Sequence, residues 1–396
     1  MFGFSILVGL VQAILSIARG SRVSRSNSTP PRSSVNQDGI LPSLENTSSN
    51  ANHPPQSKLP TPIVRYKPML PELTNVFSVD YWPRHIELAN TADSIILGAC
   101  RGEMRVVSLC TGRQTQALHG HEDNAIVAIC VRQPGHIVSC DSSGIFIIWN
   151  NYKLTRWFHI PGTGRDDYVE CMQIVPSDRA VVGNTSGLLL LIDLSSDYIF
   201  NTVSIVSAVR AHAKTVRSLV VAANGSVVVS ASADCSARIW DAQALQPVGE
   251  PLVGHTMSLY GLAVSECGQL VASAAYDGSV RIWDVRLCKQ VFAPLRGHFG
   301  SALSVVFSAD GKLLYSGGSG RICVWDVSNL DDGVKFVGEL QHERMRNVCS
   351  LRMSADGKSL IALATGVFVW SVSGKEGVGG RAEEGRVVRF ERLNVV

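Results

Sequence analysis

The sequence lacks the short motifs that mark most enzyme active sites. It has no G-x-x-x-x-G-K-[ST] phosphate loop, no G-x-G-x-x-G after a predicted strand, no H-E-x-x-H and no G-x-S-x-G. Its ten cysteines include no C-x-x-C pair, so the spacing typical of zinc sites is absent. We therefore expect no catalytic residue, no metal site and no cofactor, and the sequence predicts a protein that is not an enzyme.

Charge is also sparse. Charged residues make up 17% of the chain, and the formal net charge is only +3. No dense stripe of Lys and Arg is present, so no nucleic-acid partner is expected. No small-molecule substrate is expected either. Hydrophobic residues reach 45%, which is enough for a sizeable core. Most cysteines lie inside apolar runs and are expected to be buried and reduced, which favours the cytoplasm.

Residues 1–18 carry no charge and are mostly apolar. Three interpretations compete: a short transmembrane helix that anchors the chain, a cleaved signal peptide, and an apolar helix that docks on a partner. The absence of Lys or Arg before the apolar stretch weakens the signal-peptide interpretation. Arg19 and Arg22 follow the stretch, and the positive-inside rule would then place the remaining chain on the cytosolic face of a membrane.

Residues 19–72 are rich in Ser, Pro and Asn, including Thr29-Pro30-Pro31 and Pro60-Thr61-Pro62. Such a composition buries too little surface to offset the entropy of ordering, so a flexible linker is predicted.

Internal repetition is the strongest feature of the remaining chain. His212, His255 and His298 lie 43 residues apart, and Trp240 and Trp283 each follow their histidine by 28 residues. Short Val, Ile and Leu runs between these markers are separated by Gly, Asn, Asp and Ser turns, which predicts antiparallel strands. A fixed period of this length indicates a repeat architecture in which each copy forms one structural unit.

The segments from Gly254-His255 to Trp283-Asp284 and from Gly297-His298 to Trp325-Asp326 resemble the WD40 repeat. More divergent copies precede and follow them. The resemblance implies an all-β fold over residues 73–396, a seven-bladed β-propeller of four-stranded antiparallel blades. Its blades are expected near residues 84–120, 121–163, 164–211, 212–254, 255–297, 298–341 and 342–396.

In this family a His, a Ser, an Asp and a Trp of each blade bond to one another, so the resemblance implies structural tetrads rather than a hydrolase triad. By position they are His212, Ser230, Asp234 and Trp240; His255, Ser273, Asp277 and Trp283; His121, Ser139 and Trp149; and His298, Ser316 and Trp325. The second blade has Ser143 where Asp is expected, and the sixth also lacks the Asp.

Two segments are candidates for the outermost strand of the last blade. One is residues 387–395 and the other is residues 75–82; the carboxyl-terminal segment is favoured.

The resemblance also implies partner binding on the narrow face, by residues that enter the innermost strands. The candidates, most of them five positions after the repeat His, are Ile126, Arg217, Tyr260, Tyr276, Leu303 and Asn347. Tyr and Arg are favoured at interface hot spots.

The leading functional hypothesis is a non-catalytic scaffold for protein–protein interactions, tethered to a membrane through residues 1–18. The alternative is a substrate-receptor or regulatory subunit of a multiprotein enzyme or trafficking complex. Fold alone does not decide between them.

Overall fold

The computed structural model describes residues 72–78, 83–89, 93–133, 135–160, 167–176, 178–195, 203–222, 224–372 and 387–388. Within them the chain forms seven antiparallel sheets. The innermost strand of each sheet contacts the innermost strand of the next, and the seventh contacts the first. The sheets therefore close into a ring, which confirms the predicted seven-bladed β-propeller.

The strands follow one another from the centre of each blade outward. An initial strand, β1, spans Glu72–Ser78. Blade 1 holds β2 (Pro83–Leu88), β3 (Ser94–Ala99), β4 (Met104–Ser108) and β5 (Gln114–Leu118). Blade 2 holds β6 (Ile126–Gln133), β7 (His136–Asp141), β8 (Ile145–Asn150) and β9 (Lys153–His159). Blade 3 holds β10 (Val169–Val175), β11 (Arg179–Asn184), β12 (Leu188–Asp193) and β13 (Ser204–Arg210).

The later blades repeat this order. Blade 4 holds β14 (Val216–Val221), β15 (Val227–Ser232), β16 (Ser236–Asp241) and β17 (Leu252–Val253). Blade 5 holds β18 (Leu259–Val264), β19 (Leu270–Ala275), β20 (Ser279–Asp284), β21 (Lys289–Gln290) and β22 (Leu295–Arg296). Blade 6 holds β23 (Ala302–Phe307), β24 (Leu313–Gly318), β25 (Arg321–Asp326) and β26 (Lys335–Gln341). Blade 7 begins with β27 (Ser350–Met353), β28 (Ser359–Leu363) and β29 (Gly366–Ser371), and a two-residue strand, β30 (Val387–Val388), follows.

The hydrophobic core is divided into seven clusters, each lying between two adjacent blades. The second strand of each blade is buried along nearly its whole length, as in β11 and β19. This burial explains the continuous apolar runs of the sequence, because both faces of a blade pack on neighbours.

Ring closure differs from the favoured prediction. β1 pairs antiparallel with β29 along its length, so the amino-terminal strand is the fourth strand of blade 7. β30 pairs in parallel with the outer side of β1. The preference for residues 387–395 as the closing strand is therefore wrong. Blade 7 therefore contains strands from both the amino-terminal and the carboxyl-terminal end of the repeat region, and their pairing holds the ring closed.

An ion pair crosses the same seam between blades 1 and 7. Arg352 Nε lies 3.3 Å from Glu87 Oε2, and both side chains are partly exposed. Burial alone would raise the pKa of the Glu87 carboxyl, but the Arg352 guanidinium and His85 hold that pKa below its ordinary value.

The part of the chain that the structure describes contains no helix that could cross a membrane. The predicted apolar helix of residues 1–18 and nearly all of the linker, residues 19–72, lie outside the described residues.

Candidate functional site

The first group of predicted site residues forms a buried hydrogen-bonded set in blade 5. Trp283 Nε1 donates to Ser273 Oγ at 2.8 Å, and the same hydroxyl lies 2.8 Å from His255 Nε2. His255 Nδ1 faces the Asp277 carboxylate, which only accepts, so this nitrogen carries the proton of the neutral ring and Nε2 accepts from the Ser273 hydroxyl. His255 Nδ1–H then donates to Asp277, whose Oδ2 is 3.1 Å away. The imidazole is thereby fixed as one neutral tautomer.

Burial and hydrogen bonding shift the pKa values of this set. Burial lowers the pKa of His255 despite the nearby carboxylate. Burial alone would raise the pKa of Asp277, but hydrogen bonds from Ser279 and Thr256 outweigh it and hold that pKa well below its ordinary value. At neutral pH the set contains a neutral imidazole and an ionised carboxylate.

Blade 4 repeats this arrangement. His212 lies 2.8 Å from Ser230 Oγ and 3.0 Å from Asp234 Oδ2, and Trp240 Nε1 donates to Ser230 at 2.8 Å. His212, Ser230 and Trp240 are buried, so the serine oxygen has no route to a substrate. A Ser, a His and an Asp arranged in this way connect the loop to the strands and do not form a nucleophilic triad.

The set in blade 2 contains a carboxylate that the sequence analysis did not predict. His121 lies 2.6 Å from Ser139 Oγ and 2.9 Å from Asp141 Oδ2, and Trp149 completes the set at 2.8 Å from Ser139. Ser143, which was aligned with the aspartate, instead donates to Asp141 Oδ1 at 2.6 Å. His121 contacts the serine at the same position of its strand as in blades 4 and 5, but the carboxylate comes from the last residue of β7 rather than from the turn that follows the strand. The link from His121 to β6 is one residue longer than the matching links of blades 4 and 5.

Blade 6 has no such carboxylate. His298 Nε2 lies 2.8 Å from Ser316 Oγ, and Trp325 Nε1 donates to that hydroxyl at 2.9 Å. On the other side of the imidazole, His298 Nδ1 is 3.9 Å from Cys323 Sγ. Burial and the Arg321 guanidinium lower the pKa of His298 to about 4.

The second group of predicted residues lies on what we call the top face. In an antiparallel blade, the turn between the second and third strands lies at the same end as the link to the next blade. Each of the first six blades has a β-bulge at the second residue of its innermost strand, on this side. A bulge turns one side chain out of the ladder. The residues at the bulge positions include Val127, Glu170, Arg217, Tyr260 and Leu303.

Four side chains form a connected cluster at this mouth of the channel. Arg217 Nη1 lies 3.2 Å from Glu170 Oε2, and its guanidinium carbon is 5.4 Å from the centre of the Tyr260 ring. The Tyr260 and Tyr276 rings are 5.0 Å apart, and Tyr276 is 46% exposed. Ion pairing and ring contacts preorganise large side chains that remain accessible to a partner.

The sequence model of the family described as "WD domain, G-beta repeat" matches residues 203–241, 246–284 and 288–326. Each match begins at the outer strand of one blade and runs through the three inner strands of the next, so the matches together cover β13 to β25. The other sheets continue the same strand order round the ring. The chain is a WD40-repeat protein. WD40 propellers generally serve as scaffolds that bind other proteins and are generally not catalytic. No curated protein matches the sequence.

The WD40 repeat spacing placed Arg217, Tyr260 and Leu303 at bulge positions, but not Ile126 or Asn347. Ile126 is fully buried, so its assignment to the binding face is wrong; Val127 takes the bulge because of the longer link in blade 2. Asn347 lies in the link before β27 and pairs with Ser319.

Glu170 was missed because blade 3 has no repeat His from which to count. Its position could have been found by aligning β10 with β14, since both begin with Val and continue with a charged residue. Asn184 was missed for the same reason: its Oδ1 accepts from Leu188 N at 2.8 Å and from Ser186 Oγ at 3.0 Å, near the end of β11.

Proposed function

We propose that this WD40 protein is a non-catalytic scaffold that holds partner proteins on the top face of its propeller. The observation that carries the proposal is the cluster of Arg217, Tyr260 and Tyr276, whose side chains are accessible on the top face. The His, Ser and Trp side chains of the nearby hydrogen-bonded sets are largely buried. Tyr and Arg contribute more binding energy than other residues at protein interfaces, because they bring large contact area at small entropic cost.

Site-specific photocrosslinking tests this function. A photoreactive residue replaces Tyr276 on the top face, and in a second variant it replaces Leu287, which is 67% exposed in the turn between β20 and β21. That turn lies on the opposite face of the ring. We expect discrete crosslinked partners from position 276 and none from position 287. Crosslinks from position 287 alone would contradict the proposed face.

The identity of the crosslinked species separates two roles within this proposal. A single assembly of fixed stoichiometry would indicate a regulatory or substrate-receptor subunit. Several separate partners would indicate a general scaffold.

We further propose that residues 1–18 tether this scaffold to the cytosolic face of a membrane. The proposal is supported by the uncharged apolar stretch and by the arginines that follow it. Residues 1–25 fused to a soluble reporter should bring the reporter to membranes. A matched fusion in which two leucines of the stretch are changed to Asp should stay soluble, and a soluble unmodified fusion would exclude the tether.

A further inference from the structure

Blade 6 differs from blades 2, 4 and 5 in the sign of the charge beside its repeat histidine. Those blades place a carboxylate against the imidazole, from Asp141, Asp234 and Asp277. In blade 6 the turn between β24 and β25 is one residue shorter than the matching turn of blade 5 and contains no Asp. The guanidinium of Arg321, the first residue of β25, is near His298 instead and helps to lower the pKa of the imidazole. The same corner of the propeller therefore holds a guanidinium in place of a carboxylate in this blade.

The cation is associated with the most exposed aromatic residue of the described chain. The Arg321 guanidinium carbon lies 4.1 Å from the centre of the Phe299 ring, and Phe299 is 89% exposed. At the matching position, directly after the repeat His, blade 4 has Ala213 and blade 5 has Thr256. A large apolar ring with a stacked guanidinium offers an aromatic surface and hydrogen-bond donors in one place.

Two more exposed arginines lie near Phe299 and Arg321, one close in sequence and the other through a backbone hydrogen bond. Arg296 is exposed at the end of β22, three residues before Phe299. Arg346 is exposed in the link before β27, where its carbonyl accepts from Gly320 N at 2.8 Å, next to Arg321. Within the described part of the chain neither Arg296 nor Arg346 has a carboxylate partner, whereas Arg321 uses one donor on Glu339.

Tyr276 bounds the surface on the side of blade 5. Gly278, two residues after Tyr276, leaves no room for a side chain, because the Cβ of an alanine there would lie 2.6 Å from the carbonyl oxygen of Gly300. The blade 5 turn and the Phe299 link are thus in close backbone contact. We call the surface made by Tyr276, Arg296, Phe299, Arg321 and Arg346 the Phe299 surface.

We propose that the Phe299 surface binds an acidic segment of a partner protein, with an aromatic or aliphatic side chain of that segment seated on Phe299. The proposal rests on the proposed scaffold function and names the class of partner. Carboxylates match the unpaired arginines, because the guanidinium fork accepts a carboxylate in a bidentate geometry. The apolar contact supplies affinity that charge alone does not give at an exposed site.

Fluorescence anisotropy with synthetic peptides tests the proposal on the full chain. The probe is a short labelled peptide that alternates Asp with Phe and Leu. One matched peptide carries Lys in place of Asp, and another carries Ser in place of Phe and Leu. We expect saturable binding of the first peptide only, weakening several-fold as ionic strength rises from about 0.05 to 0.3 M.

Variants of the exposed residues locate the binding site without disturbing the core. Phe299→Ala and Arg346→Glu should each weaken binding of the acidic peptide by about tenfold, as expected for hot-spot residues. Leu287→Ala and Arg286→Glu make matching changes at exposed positions on the opposite face and should leave binding unchanged.

The proposal fails if the acidic peptide does not bind saturably, if the Lys peptide binds equally well, or if a thymidine oligonucleotide binds more tightly. It also fails if Leu287→Ala and Arg286→Glu weaken peptide binding as much as Phe299→Ala and Arg346→Glu do. If position 276 still crosslinks a partner in cells while the acidic peptide does not bind, this inference fails and the scaffold function stands.

Discussion

Replacing Asp277 with Ala measures how strongly one buried set stabilises the propeller. The carboxylate accepts hydrogen bonds from His255 Nδ1, from Thr256 N at 2.9 Å and from Ser279 N at 2.9 Å. Alanine leaves the N–H groups of Thr256 and Ser279 without this acceptor, whereas His255 Nδ1 keeps a second neighbour, Ser279 Oγ, at 3.2 Å. An unpaired buried donor costs about 1–3 kcal/mol, and the side chain is 10% exposed, so water replaces part of the loss. We expect destabilisation of about 2–4 kcal/mol.

Differential scanning calorimetry at neutral pH checks this value. For a domain of this size, the expected loss lowers the Tm by roughly 3–10 °C. Asp356→Ala is the matched control: Asp356 also accepts from a serine hydroxyl at 2.6 Å and from a backbone N–H at 3.0 Å, but it is exposed and has no histidine partner. An equal Tm for the two variants would refute the architectural role of the Asp277 set.

Three further predictions concern the turns, the blade 6 histidine and ring closure. Cys235 has φ +71 at the position where blade 5 has Gly278, and a side chain in this left-handed conformation costs about 1 kcal/mol of backbone strain. Cys235→Gly should remove that strain and give a Tm equal to or above that of the wild type. Gly278→Ala should introduce the same strain and lower the Tm. A chemical-denaturation series of both variants checks this, and a large loss from Cys235→Gly would contradict it. The pKa of His298 is about 4 in the fold and about 6.5 when unfolded, so the stability it contributes is present above pH 6.5 and is lost as the pH falls towards 4. His298→Gln should therefore flatten the fall in Tm between pH 6.5 and 4, equivalent to roughly 1–3 kcal/mol, and an unchanged slope would count against the assignment. Deleting residues 1–78 removes β1 from blade 7 and should lower the Tm well below that of a chain lacking residues 1–60, and equal Tm values would show that β1 does not close the ring.

Much of the fold follows from the sequence because its determinants are local and repeated. The spacing from His255 to Trp283 fixes one blade, and each neighbour with similar spacing must form the same unit. The apolar runs of β11 and β19 indicate burial on both faces, which a ring of blades supplies.

The failures arose where one inserted residue or a distant pairing decides the outcome. The extra residue between His121 and β6 places Val127 rather than Ile126 at the bulge, and Ile126 is buried. The carboxylate partner of His121 is Asp141, the last residue of β7, rather than the residue at the position of Ser143. A fixed offset from the histidine cannot register that change. The wrong one of the two candidate closing strands was favoured because both terminal segments contain strand-forming residues. The choice depends on pairing with β29, almost 300 residues away from β1.

Hydrogen exchange of the tryptophan indole protons tests the central claim most directly, namely that the repeated His, Ser and Trp residues form closed sets rather than an open site. By NMR of the ¹⁵N-Trp-labelled protein, we predict slow exchange for the four indoles that donate to a buried serine: Trp149, Trp240, Trp283 and Trp325. Trp157, which is 47% exposed, is the internal reference and should exchange quickly. Exchange of the four indoles as fast as that of Trp157 would show that the sets are open to solvent and would contradict the account.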